Sequence, residues 1–542
     1  MKYFREMLTN KTAIILAFST LIAIFLHVRA IEFPCFNSDE ASFAYNTYSI
    51  GETGKDEYGK LLPLRFQAFG ENKLPVTIYL MVPFIKVFGL NETASRLPFI
   101  LIGILSPLLF YMLTKKLTQN EWISLLVAFL ASISPWIQIM SRHIHENLIV
   151  LVLTIGILWF LHELLQKVTL RSLIILAMLV GVGLFTYHVG KVLAVFTFIW
   201  IGGIVTFKKP NRVWLKKTLL LGLVPLLLFG LSELLQPSSR ISNLLFTSNQ
   251  GFTLSIEELR REHDDRFLHN KVTRATIILA HQYLSYFSPE FLVRYGDAND
   301  RFGFEGISPI TAIEYVFLLM GIYFAFVRKE RGRYLMLSLF LVAPSTASLS
   351  WQEHSLTRSF LMIIPILYFA GCGMYFAGIA ISSRILRVLF YSFVLGGVLF
   401  FTFFTWDFYF NHYRVKPQVA SAWQCGYGEL GSYLKKHEDD YDRIYITKKL
   451  GQPYIFSLFY TQYPPAEYQK EAQLSSPDEY GFGQVERYGK YVFAFTKPDP
   501  NESALFVGYP EEFGEDAPTD RIEKIQINGK DVFWIYAGRK NK

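Results

Sequence analysis

The chain reads as a polytopic α-helical membrane protein of about eleven transmembrane helices, N-terminus inside, with a small C-terminal extracytoplasmic α/β domain. Three observations predict this. Of the 542 residues, 51% are hydrophobic and 18% charged, where a soluble protein usually carries about a quarter charged. Apolar runs recur up to about residue 405, and several reach the roughly 20 residues that cross a bilayer as a helix. Beyond that point the composition turns to charge, Tyr, Pro and Gly.

The first run, 12–28, follows Lys2, Arg5 and Lys11. No small-x-small cleavage site comes after it, so it reads as an uncleaved first helix. Further spans are expected at about 97–114, 122–140, 147–165, 172–188, 192–207, 214–234, 310–327, 334–349, 359–380 and 386–405. The loops test that set. Alternate ones carry Lys115-Lys116, then Lys167 and Arg171, then Lys208-Lys209 with Arg212, Lys216 and Lys217, then Arg328-Lys329 with Arg331 and Arg333, then Arg384 and Arg387. Each is short and basic, and such loops stay on the cytoplasmic side. One miscounted helix would break the alternation. The net charge of +8 therefore reports topology. No basic stripe alternates with base-stacking aromatics, so nucleic acid is set aside as a partner.

What remains outside is a loop of about 29–96, turns near 141–146, 187–191 and 350–358, a loop of about 236–309, and everything after about 406. Within the first of these, 75–89 is apolar but holds Pro75, Pro83 and Lys86, which suits an interfacial helix better than a span. Strand-like runs at 443–447, 491–496, 504–508, 524–527 and 532–536 follow a helical stretch at 427–436. The expected division is thus 1–405, a membrane domain with its chemistry in the loop 29–96, and 406–542, the α/β domain. Three cysteines are too few for a disulfide framework. Cys35 and Cys425 would share the outer side and could pair, although nothing in the sequence demands it; Cys372 lies in a span.

The outward segments hold the candidate chemistry. Asp39-Glu40 follows the first helix within Phe36-Asn37-Ser38-Asp39-Glu40-Ala41. The plainer reading is a helix start, with Asn37 as cap and Glu40 closing a capping box; a cap can also orient Asp39. Asp56-Glu57, flanked by Gly54, Lys55, Gly59 and Lys60, reads as a solvated turn. In Ser141-Arg142-His143-Ile144-His145-Glu146 the Arg142/Glu146 spacing would share one helix face, and the plainer reading is an acid in a first helical turn. His143 and His145, two apart, would diverge on a helix. Lys73, Lys191 after Tyr187-His188, and Arg358 in Glu353-His354-Ser355-Leu356-Thr357-Arg358 are outer-edge cations. Each could simply snorkel, but phosphate is a natural partner for outward cations. No CxxC, HExxH or His/Cys cluster suggests a metal cage.

At Asp39-Glu40-Ala41 the sequence resembles the lipid-carrier-dependent glycosyltransferases with the C-type membrane fold, the superfamily of the protein O-mannosyltransferases and the lipid A aminoarabinose transferases. The resemblance covers about 1–405. It rests also on Phe88-Gly89 with Ser95-Arg96-Leu97-Pro98, on Ser134-Pro135 with Ser141-Arg142 and Glu146, and on Arg358 with Pro365. The chain departs from the family pattern in Glu71-Asn72-Lys73-Leu74-Pro75, which has extra residues between acid, lysine and proline, and in Glu146, where Asp is common.

The resemblance implies sugar transfer from a polyprenyl-phosphate carrier to a lipid, glycan or protein acceptor, in a cell membrane with the active site on its extracytoplasmic face. It implies Asp39, Glu40 and Glu146 as the catalytic acids, with Asp39 as base. Lys73, Arg142, Lys191 and Arg358 would hold the donor phosphate, and Tyr187, His188 and His354 would touch substrate. A divalent cation stays open as a cofactor. The competing readings are a multi-pass transporter and a polymerase or ligase of lipid-linked saccharides. Transporters place ionisable groups near mid-membrane and often repeat, whereas here the acids gather at the outer edge and no repeat is visible.

Overall fold

The computed structural model describes residues 10–540 except 31, 70, 209–211, 236–245, 249, 263–264, 298, 304–305, 351, 353, 450, 477–482 and 515–520. Lys2, Arg5, Lys209 and Glu353, named above, lie outside the described residues. Two compact units divide the chain: Met1–Ile31 with Phe99–Tyr413, and Glu32–Pro98 with Arg414–Lys542. The division expected at 405 follows the chain; the observed one instead groups segment 32–98 with the C-terminal region. Cross-chain bonds are the reason. Cys35 and Cys425 form a disulfide across 390 residues, the Ser38 amide donates to Gln424 Oε1 at 2.9 Å, and Phe36 stacks on Phe459 at 4.6 Å.

The first unit is helical. Among the described residues six helices are long and apolar enough to cross a membrane: Lys11–Val28, Glu92–Thr118, Glu146–Gln166, Val189–Lys208, Phe360–Ala380 and Arg384–Tyr413. Shorter apolar helices, among them Glu121–Ile133, Leu170–Leu184 and Ala312–Val327, join them. Large apolar side chains such as Phe18, Ile199, Phe393 and Phe403 face outward, which lipid favours and water penalises. The chain is a multi-pass membrane protein.

The apolar run at 122–140 is interrupted: helix Glu121–Ile133 ends, and Pro135–Met140 starts afresh with Ser134 as its cap and Pro135 in the first turn. Proline has no amide to donate and is suited to that position. Helices Ala312–Val327 and Ile363–Ala380 approach closely. A Cβ on Gly321 would lie 1.7 Å from Phe369 O, and one on Gly373 2.1 Å from Phe317 O, so only glycine permits the crossing.

Ion pairs and hydrogen bonds join the basic loops at one end of this bundle. Lys116 Nζ sits 3.1 Å from Glu163 Oε1, and Lys208 Nζ donates to Gln166 O at 2.9 Å. The turns 141–146, 187–191 and 350–358 meet at the other end: Trp136 Nε1 donates to Leu356 O at 3.0 Å, and the His145 and Tyr187 rings lie 5.7 Å apart. The helix Glu146–Gln166 connects the two ends; at 1.5 Å per residue it is about 30 Å long.

The second unit begins with helix Ser38–Thr53, against which helix Pro75–Phe88 packs, with Ile78 and Met81 fully buried. Between them strands β1 (Phe66–Ala68) and β2 (Glu71–Lys73) pair antiparallel. The C-terminal part holds strands β3 (Arg443–Ile446), β4 (Gln473–Leu474), β5 (Val485–Tyr488), β6 (Tyr491–Val492), β7 (Ala504–Gly508), β8 (Ile522–Ile527) and β9 (Lys530–Ala537). Among the described residues they form one sheet in the order β4-β5-β6-β3-β7-β9-β8. β3 runs parallel to β6 and β7, and every residue of β7 is buried, as expected of a central strand covered on both faces.

Candidate functional site

In the second unit, Asn37 caps helix Ser38–Thr53. Its side chain accepts from the amides of Asp39 (2.9 Å) and Glu40 (3.2 Å), and Glu40 Oε2 accepts back from the Asn37 amide at 3.3 Å. The capping box expected from the sequence is formed. Successive helical residues diverge by about 100°, and here that separates the two acids: Glu40 is 1% exposed, while the Asp39 side chain is 50% exposed. Arg96 holds both Glu40 oxygens, Nε to Oε1 at 2.8 Å and Nη2 to Oε2 at 2.7 Å.

Asp39 has a different partner. Lys73, the last residue of β2, is 3% exposed, and its ammonium lies 3.3 Å from Asp39 Oδ1 and donates to Asp39 O at 3.0 Å. The Phe43 ring is 4.2 Å from the same nitrogen and the Phe69 ring 5.4 Å. A buried cation thus backs a carboxylate that still meets solvent.

Asp56 and Glu57 are buried, at 2% and 1% exposure, and this corrects the solvated-turn reading. Asp56 Oδ1 accepts from the amides of Tyr58 (3.0 Å) and Lys60 (2.8 Å), which folds the turn around it. The Glu57 amide donates to Asn46 Oδ1 at 3.1 Å. Burial pushes the Glu57 carboxyl up to about 8, with Asp56 adding and the Asn46 side chain and Lys73 opposing. Alternating charge and glycine looked like a surface turn; the aromatic cover, Tyr454 and Tyr468, comes from residues some 400 positions away.

In the first unit Arg142 and Glu146 do not share a helix face. Helix Pro135–Met140 ends before Arg142, and Glu146 begins the next helix. Arg142, 4% exposed, donates through Nη1 and Nη2 to the carbonyls of Leu26, His27 (3.4 Å), Arg29 (3.0 Å) and Ala30. These are the open carbonyls at the C-terminal end of the first helix, where a cation is favoured. Arg142, expected to hold donor phosphate, is thus engaged at the end of the first helix.

Glu146 stands in the first turn of its helix, 3.7 Å from His145 Nδ1, and the same nitrogen accepts from the Asn147 amide at 3.2 Å. The His145 ring meets Tyr187, which in turn meets His188 at 5.9 Å. His143 packs on Phe302 at 5.3 Å. Lys191 is paired, 3.5 Å from Glu233 Oε1, and lies over Phe229 at 5.0 Å.

Arg358 closes a turn clamped from several elements. Leu356 O accepts from Trp136, Thr357 O from Asn147, and the Ser355 amide donates to Tyr286 Oη at 3.0 Å. His354 Nε2 lies 3.0 Å from Ser285 Oγ, and its ring stacks on Phe291. Asp297 lies beneath: Oδ2 accepts from the Leu356 amide at 2.6 Å, and Oδ1 from Gln352 Nε2 and the Asn299 amide, both at 2.8 Å. Burial lifts its carboxyl to about 6 against these donors and the nearby Arg358 charge. The Arg358 guanidinium donates to Ser350 Oγ and is half-buried. Sequence reasoning missed Asp297, since nothing in its spacing marks it as a partner of residues 55–61 positions on.

The predicted residues therefore fall into two sets. Asp39, Glu40 and Lys73 gather in the second unit. Glu146, Tyr187, His188, Lys191, His354 and Arg358 lie in the first unit, together with the capping Arg142. Among the described residues no group of three or more His, Cys, Asp or Glu could hold a metal ion.

The dolichyl-phosphate-mannose-protein mannosyltransferase family pattern matches residues 72–234. No curated protein sequence matches the chain. Among solved structures, the chain is similar to ArnT from Cupriavidus metallidurans bound to undecaprenyl phosphate, with a TM-score of 0.54 and 13% identity over 97% of this chain and 98% of that one. ArnT from the same organism in the apo state gives the same values. The chain thus resembles the lipid-carrier-dependent glycosyltransferases with the C-type membrane fold, in sequence over the matched segment and in fold over nearly its whole length.

Proposed function

We propose that this chain is a membrane glycosyltransferase that moves a sugar from a polyprenyl-phosphate carrier to an acceptor at the extracytoplasmic face, by inverting displacement with a carboxylate base. The observation that carries the reading is the Asp39–Lys73 pair: a half-exposed carboxylate backed by a buried ammonium at 3.3 Å, on a capped helix just after the first apolar span. The match to the mannosyltransferase family over 72–234 and the likeness in fold to ArnT support the reaction class. About eleven crossings, with the basic loops inside, place Asp39 on the outer side in this reading.

The leaving group is already a phosphate, so its departure needs no strong general acid. What the reaction needs is a base for the acceptor hydroxyl as the anomeric carbon gains oxocarbenium character. Asp39 fills that role. Lys73, 3.3 Å from Oδ1 and bonded to the Asp39 carbonyl, keeps the carboxylate aimed, as a positioning residue that also adds positive charge beside the donor. Glu40, with both oxygens held by Arg96, positions the helix that presents Asp39. Arg358 stabilises the departing phosphate, a role for which its planar fork is suited, and Lys191 adds charge from its neighbouring turn. Glu146, Tyr187, His188 and His354 are assigned to acceptor and sugar contacts.

The test is transfer by the purified full-length protein from radiolabelled polyprenyl-phosphate sugars to lipid and peptide acceptors. Labelled product with wild type and none with Asp39→Asn is the expected result. Equal product from both discards Asp39 as base, and no product from any donor discards the transferase reading. Arg358→Ala should raise the donor's apparent KM or lower kcat/KM; unchanged kinetics would leave Arg358 an anchor of its turn only.

A further inference from the structure

At the basic-loop end of the first unit a cavity of about 470 Å3 opens, lined by Gln119, His162, Gln166, Trp200, Arg331 and Arg333 among others. These residues converge from separate stretches: the turn after helix Glu92–Thr118, the last turns of Glu146–Gln166, the helix Val189–Lys208, and the turn leading into Arg333–Val342. The volume lies within the range of roughly 300–1,000 Å3 usual for ligand sites.

The lining is rich in donors. His162 is 3% exposed; its Nε2 lies 3.0 Å from Gln166 Nε2, while its Nδ1 is buried with no partner. A buried ring nitrogen without a partner is costly and marks a position that a ligand or its hydration would satisfy. The Arg331 side chain is exposed and makes no ion pair among the described residues. Arg333 donates to Glu330 O at 3.0 Å and lies over the Tyr334 ring at 4.5 Å, which fixes its plane. Two acids stand near. Glu163 is engaged by Lys116 (3.1 Å), Trp159 (3.2 Å) and Ser172 (3.3 Å). Glu330 is a single negative charge against the two arginines, and burial raises its carboxyl above the ordinary range. Trp200 Nε1 is occupied by Ser338 Oγ at 3.0 Å.

Two guanidinium groups, two side-chain amides and an imidazole around one opening match the several acceptor oxygens of a phosphate group. The opening lies among the basic loops at one end of the helical bundle, and basic pockets between membrane helices are suited to anionic headgroups. We propose that this cavity is a phosphate-binding site, with the phosphate supplied either by an anionic lipid headgroup or free from solution. The proposal does not depend on the transferase reading, because it uses none of the residues assigned to transfer.

Native mass spectrometry of the full-length protein in detergent tests it, with dioleoyl phosphatidic acid, dioleoylglycerol and inorganic phosphate as probes. Phosphatidic acid should be retained at least fivefold more than dioleoylglycerol, which lacks the phosphate. Arg331→Gln/Arg333→Gln should cut that retention at least fivefold. Arg331→Gln alone, at an exposed position where folding is not at stake, should cut it at least twofold. Displacement of the lipid by millimolar inorganic phosphate would assign the site to phosphate from either source; retention in its presence would assign it to the headgroup. Equal retention of phosphatidic acid and dioleoylglycerol, or equal retention by wild type and Arg331→Gln, would overturn the proposal.

Discussion

Arg96 grips both carboxylate oxygens of Glu40, at 2.8 and 2.7 Å, and the same guanidinium donates to the carbonyls of Pro34 (2.8 Å) and Cys35 (3.3 Å). One buried side chain thus ties the start of a later helix to the segment just ahead of Asp39. Removing one member of a buried ion pair strands the other charge and costs about 3–5 kcal/mol. Glu40→Gln and Arg96→Met should each lower the thermal midpoint of the purified protein clearly, and the double variant should recover part of the loss. Losses that simply add would show that the two residues act independently.

Asp39 is half exposed, but Lys73 behind it is buried, so Asp39→Asn strands an ammonium and should lower the thermal midpoint somewhat. Transfer should fall much further, about 10²–10⁴-fold, the usual contribution of a positioned base. Asp39→Asn/Lys73→Met should regain stability without regaining transfer; transfer restored along with the thermal midpoint would mean that the single variant fails by unfolding.

Glu57 gives a pH-dependent stability. Burial holds it protonated up to about pH 8, against 4.5 for the ordinary group. Between those values the folded chain binds the extra proton, so stability declines as pH rises through the window, by at most about 1.4 kcal/mol per pH unit. Glu57→Gln keeps the shape and removes the titration. Its thermal midpoint should exceed that of wild type at pH 8.5 and match it near pH 4.5. Parallel curves from pH 5 to 9 would refute the assignment.

Asp297 supports the Arg358 turn by accepting from Leu356, Gln352 and Asn299. With its carboxyl lifted to about 6, acidification below that point neutralises the group and loosens its hold on Gln352 and Arg358. The donor's apparent KM should rise as pH falls through 6. Asp297→Asn should show the raised KM, about fivefold, already at pH 7.5, with a flat acid limb and kcat within twofold. An acid limb identical to wild type would assign it to another group.

Several features were legible because they are local. The capping box at Asn37 and Glu40 needs only residues three apart. The long apolar runs announce helices because an unpaired backbone cannot be left in lipid. The alternation of basic loops predicted which turns lie together, and within the first unit Lys116 with Glu163 and Lys208 with Gln166 bring three of them to one end. Local pattern misled where partners were distant. Arg142 looked like half of an i,i+4 pair, yet it spends its donors on carbonyls more than a hundred positions earlier. Asp56 and Glu57 looked hydrated until the C-terminal aromatics covered them.

The amino-acid order by itself determined which segments are apolar and largely helical, and which acids and cations stand near their ends. These follow from hydrophobic periodicity, propensity and capping, which act over a few residues. The tertiary structure alone decided which of those charges stays available. Lys73 became the partner of Asp39, Glu233 took Lys191, the first helix's carbonyls took Arg142, and the segment after the first helix was fastened to the C-terminal region through Cys35 and Cys425. The availability of a charge depends on desolvation and on the nearest opposite charge or dipole, and those are set by chain segments that meet only after folding.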